Sequence, residues 1–257
     1  MKGKVAIVTG GASGIGLAIV ERLARDGVNC VIGDLDASAG EQAATKLQKA
    51  GTDCLFVATS VSKPGDVRHL VEATMDKFGR LDILVNNAGL QFAAPIVDFP
   101  EERWDTLIGV MLTGTFLCCK YALPHMIQQK WGRIINISSV HGKVASPYKV
   151  AYISAKHGVL GLTKVVALEM GEHNITCNAI CPGYVRTPLV EKQIVDQARL
   201  NNISEEDVVQ KIMLSPAAIR RMLEPSEVAS LAGYLCSDAA AGITGAALDI
   251  DLGWTAR

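Results

Sequence analysis

The sequence predicts a doubly wound α/β fold with a parallel sheet of about seven strands, and three observations carry that expectation. Short β-branched or aliphatic runs recur at Val5–Thr9, Cys30–Gly33, Cys54–Val57, Ile83–Val85, Ile134–Ser138, Thr176–Ile180 and Ala247–Ile250. Between them lie longer stretches with apolar residues three and four apart, among them Leu17–Ala24, Val67–Phe78 and His157–Met170, the spacing of helices with one buried face. Glycine supplies 24 of the 257 residues while aromatics make up only 5%, a balance that suits many close turns. With 49% hydrophobic residues the chain can fill one large core, and no repeat or Pro/Ser-rich linker divides residues 1–257.

Each element has a local reason. The first strand, Val5–Thr9, is apolar on both sides, as a strand covered by helices on both faces must be. It runs directly into a glycine turn from which a helix departs. The second strand ends at Asp34, the fourth in Asn86-Asn87-Ala88-Gly89, and the fifth in Ser138-Ser139. Tyr152-Ile153-Ser154-Ala155-Lys156 opens the next helix, and the sixth strand leads into Pro182-Gly183. The charged stretch Thr187–Pro225 is helical in pattern; it reads either as a surface helical pair or as a segment (187–225) that covers a substrate.

Charge and cysteine usage exclude several classes. Lys and Arg number 25 against 26 Asp and Glu, for a formal net charge of -1, and no basic stripe follows a phosphate backbone. Nucleic acid is therefore not an expected partner. The seven cysteines are odd in number and scattered, which fits reduced, buried thiols. Cys177 and Cys181 lie near His173, but they fall in a strand-like alternation without Cys-x-x-Cys spacing, so no metal is expected. The first apolar run is too short for a signal peptide, and longer ones are interrupted by charges or glycine; a soluble cytoplasmic protein without a membrane partner is expected.

The turn Thr9-Gly10-Gly11-Ala12-Ser13-Gly14-Ile15-Gly16 lies between the first strand and its helix. Glycines let the backbone turn sharply and approach a pyrophosphate, whose charge the free amides and dipole of a helix start would stabilise. The spacing Gly-x-x-x-Gly-x-Gly departs from the common dinucleotide fingerprint. Asp34 strengthens the reading, because a carboxylate at the end of the second strand accepts hydrogen bonds from both adenosine ribose hydroxyls and repels a 2′-phosphate. NAD is thus expected over NADP. The alternative role for Asp34 is to cap the helical segment starting near Ser38.

Tyr152 and Lys156, four apart, share one helix face. A neighbouring cation favours the phenolate, which is expected to bring the tyrosine from its usual value of about 10 toward general-base range. With the glycine turn, Asp34, Asn86-Asn87-Ala88-Gly89 and Ser139, the chain closely resembles the short-chain dehydrogenase/reductase family over its whole length. The matching pieces are Thr9-Gly10, Gly14, Gly16, Asn86 to Gly89, Ser139, Tyr152, Lys156, Pro182-Gly183 and Thr187.

The resemblance implies a Rossmann-type, NAD(P)-dependent enzyme that interconverts an alcohol and a carbonyl compound. It casts Tyr152 as the proton acceptor or donor, Lys156 as its partner and a ligand of the nicotinamide ribose, and Ser139 as the holder of the substrate oxygen. It also puts Ser13 and Ile15 in the phosphate turn, Ser60 and Val61 at the adenine, and Asn87, Ala88 and Gly89 along the cofactor. Pro182, Gly183, Tyr184 and Val185 would flank the nicotinamide, with Thr187 beside them. Two departures stand out: Met111 where the family usually has an asparagine that helps hold a relay water behind the lysine, and Ser60 where an aspartate commonly binds the adenine.

Within the family the chain is most similar to the bacterial D-3-hydroxybutyrate dehydrogenases. The similarity rests on Leu90-Gln91, His141-Gly142, Lys149, Thr187-Pro188-Leu189-Val190-Glu191-Lys192-Gln193 and Gly253-Trp254-Thr255-Ala256-Arg257. It implies that Gln91, His141, Lys149 and Gln193 bind a small carboxylate and that Trp254 packs on the pocket, while Tyr184 stands where Trp is frequent. The residue chemistry agrees, since one cation and several neutral donors suit a carboxylate. The expected reaction converts (R)-3-hydroxybutyrate to acetoacetate in a homotetramer. A 3-oxoacyl thioester reductase or secondary-alcohol dehydrogenase of the same family, and a weakly catalytic NAD-binding protein, are the alternatives.

Overall fold

The structure, a computed structural model, describes residues 1–256. Seven strands form one parallel sheet in the order β3-β2-β1-β4-β5-β6-β7: β1 (Val5–Thr9), β2 (Asn29–Asp34), β3 (Cys54–Ala58), β4 (Ile83–Asn86), β5 (Gly132–Ile137), β6 (Ile175–Pro182) and β7 (Ala247–Ile250). The expected strands are all present. Ser138 falls just beyond β5, where its amide still donates to the Ile180 carbonyl.

Helices cover both faces. On one side α1 (Gly14–Arg25), α2 (Ala37–Lys49) and α9 (Pro225–Cys236) pack through Ile19, Val20, Leu23, Ala43, Val228 and Ala232. On the other, α3 (Pro64–Phe78), α5 (Gly114–Gln129) and α6 (Val150–Met170) pack through Val67, Leu70, Cys118, Ala122 and Val166. A one-residue shift in a β1 side chain changes the face it serves: Ala6 and Val8 enter the first cluster, Val5 and Ile7 the second, which is why this strand must be apolar throughout.

Before α5, α4 (Glu101–Ile108) runs into a π-helical turn over Gly109–Thr113. The run from Glu101 to Gln129 is long and apolar enough to cross a membrane by length and composition, but Cys118, Cys119, Ala122 and Met126 on it are buried in the core. All seven cysteines are free and buried, and burial pushes the Cys119 and Cys236 thiols up to about 12.

The 187–225 stretch contains α7 (Pro188–Asn201), the single turn α8 (Glu205–Asp207) and a π-helical turn at Val208–Met213. These pieces have a small apolar cluster of their own, built on Val190, Ile194, Val208, Met213, Leu214 and Met222. Chain entry and exit are tied together, since the Leu223 amide donates to Tyr184 and the Arg186 amide to Leu223.

Candidate functional site

A cavity of about 310 Å³ opens at the carboxyl ends of the strands, where β1 lies between β2 and β4 and the order of the sheet reverses. Ligands of doubly wound sheets bind at this switch point. One half of the cavity is lined by the glycine turn and the ends of β2 and β3, the other by the segments after β5 and β6 together with the start of α6 and α7.

The first half is built mainly from backbone. Gly14 has a left-handed φ of +53°, which other L-residues rarely adopt, and a side chain at Gly16 would run into the Gly10 carbonyl. Ser13, in extended conformation at the start of α1, makes no side-chain cap, and the first turn holds no acidic residue. Its amides are thus left to an external acceptor, an arrangement suited to a phosphate. Gly10, Ser13, Gly14 and Ile15 face the cavity; Thr9 and Gly16 lie behind it. Thr9 works as scaffold, its hydroxyl accepting the Asn87 and Ala88 amides, while the Asn87 side chain donates to the Thr9 and Gly10 carbonyls.

Asp34 lies on the cavity wall with both carboxylate oxygens held by backbone, from the Ala12 amide at 3.0 Å and the Asp36 amide at 3.1 Å. The cap of α2 is Asp36, whose side chain accepts from Ala39, so the capping role considered for Asp34 falls to its neighbour. Ser60, Val61, Asn87, Ala88 and Gly89 also line the cavity; the Ser60 hydroxyl is 3.0 Å from that of Ser62. Uncapped amides at one end and a preset carboxylate at the other fit the phosphates and a ribose of a dinucleotide.

At the centre stand Ser139, Tyr152 and Lys156. Ser139 opens a short helical turn and its hydroxyl accepts the His141 amide. Lys156 is buried, donates to the Ile137 carbonyl at 2.7 Å, and its Nζ lies 5.6 Å from the Tyr152 ring centre. The Ser138 hydroxyl donates to the Lys156 carbonyl and fixes α6 to the end of β5. Burial lowers the Lys156 ammonium to about 8 and raises the Tyr152 phenol to about 12, with a hydrogen bond from Ser139 pulling the phenol back down. The expected downward shift of the tyrosine is therefore not found: desolvation outweighs the lysine four residues on, which is itself desolvated.

The second half is built from side chains. Lys149 is only 4% exposed, and its Nζ donates to the Tyr184 hydroxyl at 3.0 Å. No ion pair joins it to a carboxylate among the described residues. His141, 3% exposed, is held neutral, its pKa lowered to about 3 by burial and by the Lys149 charge; its Nε2 lies 2.8 Å from the Ser146 hydroxyl. Tyr184 and Trp254 lie ring on ring, 5.4 Å between centres at 33°, and the His141 ring meets both near edge-on. Gln193 on α7, with Pro182, Gly183, Val185 and Thr187, completes the wall.

Gln91 is the exception. Leu90 faces the cavity whereas Gln91 does not line it, and both polar atoms of the Gln91 amide are buried without a partner. Met111 is also buried, in the π-helical turn against Leu107, Ala151, Ala155 and Tyr152.

Sequence reasoning missed three positioning groups. Tyr148 takes a left-handed φ of +68°, and its carbonyl accepts the Ala94 amide, which ties the segment after β4 to the one leading into Lys149. Ser146 orients His141. Asp251 accepts from the Gly253 amide and from the amide and hydroxyl of Thr255, closing the turn that presents Trp254. An acid just ahead of Gly253 and Trp254 was a legible signal for that turn; nothing in the sequence marked Tyr148.

Comparison with known proteins places this geometry. Residues 4–198 match the family model described as short chain dehydrogenase. The chain is 48% identical to a D-beta-hydroxybutyrate dehydrogenase of Rhizobium meliloti (strain 1021), over 99% of each chain. It is 43% identical, over the full length of both, to a D-beta-hydroxybutyrate dehydrogenase of Cupriavidus necator. Among solved structures, the crystal structure of gox2181 matches with a TM-score of 0.92 at 32% identity, covering 100% of this chain and 97% of that one.

Proposed function

The chain belongs to the short-chain dehydrogenase family, oxidoreductases that use a nicotinamide cofactor, and from that premise we propose that it is an NAD-dependent dehydrogenase of (R)-3-hydroxybutyrate. The single observation that carries the substrate is Lys149: a buried ammonium whose one side-chain hydrogen-bond partner among the described residues is a hydroxyl. An isolated buried charge is costly, and a small carboxylate bound beside it removes that cost. Two relatives named as D-beta-hydroxybutyrate dehydrogenases support the same reading.

In this reading Gly10, Ser13, Gly14 and Ile15 hold the cofactor phosphates, Asp34 the adenosine ribose, and Ser60 with Val61 the adenine. Asn87, Ala88 and Gly89 run along it, Lys156 holds the nicotinamide ribose, and Pro182, Gly183, Val185 and Thr187 flank the nicotinamide. When bound, the cofactor supplies the acceptor for the hydride. Ser139 holds the substrate oxygen and Tyr152 takes the hydroxyl proton as the carbinol C–H bond breaks. Lys156, beside the phenol, stabilises the phenolate that burial disfavours. At neutral pH Tyr152 is a phenol, ready to donate in the reverse direction; oxidation of the alcohol gains as pH rises. His141, Lys149 and Gln193 grip the carboxylate, and the 187–225 segment covers the substrate.

Phe116, Val165 and Leu168 on α5 and α6 are exposed apolar side chains, which suits the subunit contacts of the homotetramer that the resemblance implies. The deciding experiment follows NADH or NADPH formation with 3-hydroxy acids, their thioesters and neutral secondary alcohols. Preference for 3-hydroxybutyrate with NAD is expected; preference for thioesters or neutral alcohols would overturn the substrate, and no turnover of any of them would overturn the enzyme.

A further inference from the structure

Tyr184 carries a hydroxyl that can accept one hydrogen bond while donating another, which an indole in its place could not. Its hydroxyl accepts a hydrogen bond from Lys149 at 3.0 Å, whereas a tryptophan N–H only donates. The resembled dehydrogenases often have Trp here, so the hydroxyl is a feature of this chain. Because the oxygen accepts from the ammonium, the phenolic hydrogen points elsewhere, and it meets no acceptor among the hydrogen bonds of the described residues. Its ring is fixed on Trp254 and edged by His141, and Tyr184 and Lys149 both line the cavity. Two polar groups are thus held together at the cavity wall, a buried cation and a half-buried hydroxyl with a proton to give.

We propose that the Tyr184 hydroxyl is a second hydrogen-bond donor to the substrate carboxylate, so that Tyr184 and Lys149 together set the preference for acids over neutral alcohols. The inference rests on the carboxylate reading above. A hydrogen bond from a neutral donor to a charged group contributes roughly 1.5–3 kcal/mol, and the Lys149 bond strengthens it by polarising the phenol. Loss of the donor therefore weakens acids more than alcohols.

The test measures kcat and KM of the full-length enzyme with NAD for 3-hydroxybutyrate and for butan-2-ol. Tyr184→Phe keeps the ring stacked on Trp254, and it is expected to lower the acid-to-alcohol ratio of kcat/KM by about tenfold or more, mainly through KM. Lys149→Met should lower the same ratio. In the double variant the two losses should fall short of additive, as for groups that grip one anion. Equal losses for both substrates in Tyr184→Phe, or an unchanged ratio, would overturn the proposal. If Lys149→Met still lowers the ratio, the carboxylate reading survives that failure; if neither variant moves it, both readings fall.

Discussion

The two halves of the cavity solve opposite problems with opposite materials. The glycine-turn half presents backbone amides and one carboxylate whose oxygens are themselves held by backbone. The half around Lys149 presents side chains from four separate segments, the buried His141 and Lys149 after β5 and the half-buried Tyr184 after β6, Gln193 on α7 and Trp254 in the last turn. A cradle of backbone amides does not titrate, and its demands on sequence are steric, falling on the glycines. A side-chain pocket with a buried cation and a buried imidazole is sensitive to pH and to substitution.

The largest consequence of that contrast is acid sensitivity confined to the second half. His141 is held neutral, with its folded value at about 3 against 6.5 in a free histidine. Above pH 6.5 neither state binds the proton and the group adds no pH dependence. As pH falls below 6.5, the unfolded chain takes up a proton that the folded one refuses, so stability drops by about 1.4 kcal/mol per unit until about pH 3. Urea unfolding at pH 7.5 and 4.5 should show this loss in the native chain and a smaller one in His141→Gln; equal losses in both would show that burial of this ring does not govern the acid response.

Next in size is Lys149→Ala. It removes the cation of the second half and leaves the first untouched, so KM for 3-hydroxybutyrate should rise about 100-fold, the scale of a lost charged hydrogen bond, while the dissociation constant of NADH stays the same. Weakened NADH binding in that variant would break the division of the cavity into independent halves. The reciprocal experiment is Asp34→Ala, expected to erode the preference for NADH over NADPH by about 2 kcal/mol, roughly 30-fold, once the carboxylate no longer opposes a 2′-phosphate. Direct binding of the two reduced nucleotides, followed by fluorescence, measures it, and an unchanged ratio would remove Asp34 from cofactor choice.

The same contrast explains what the sequence made legible. The sheet could be read because seven apolar runs alternate with helical spacing, and the cradle because a glycine turn and an acid at a strand end are local in sequence. Asp34 was ambiguous between ribose and helix cap only because Asp36 stands two residues away with the capping geometry. In the second half, residues 35 to 113 positions apart along the chain meet in one corner, and no local pattern announces that meeting; only the family resemblance brought Gln91, His141, Lys149, Gln193 and Trp254 together. It could not say that Gln91 lies outside the cavity lining or that Tyr184 receives the lysine. The tyrosine–lysine pair shows the limit from the other side: helix spacing gave their proximity, but the direction of the shift is set by burial, which four residues of sequence do not reveal.

Met111 gives the smallest expected effect, one that bears on both halves, since it packs against Tyr152 at their junction. Its thioether cannot donate and accepts only weakly, whereas the asparagine usual in the family would offer an amide to a water behind Lys156. Lys156 already spends one proton on the Ile137 carbonyl at 2.7 Å, so proton exchange with solvent through the lysine lacks a polar next step. Met111→Asn should raise kcat at neutral pH by a few fold, about 1 kcal/mol. It should also lower the melting temperature, because an amide placed among Leu107, Ala151 and Ala155 costs roughly 1–3 kcal/mol where it lacks partners. The two readouts separate the roles of the residue: higher turnover with lower stability fits an interrupted relay, and lower stability with unchanged or slower turnover means that Met111 serves the core and the proton leaves by another route.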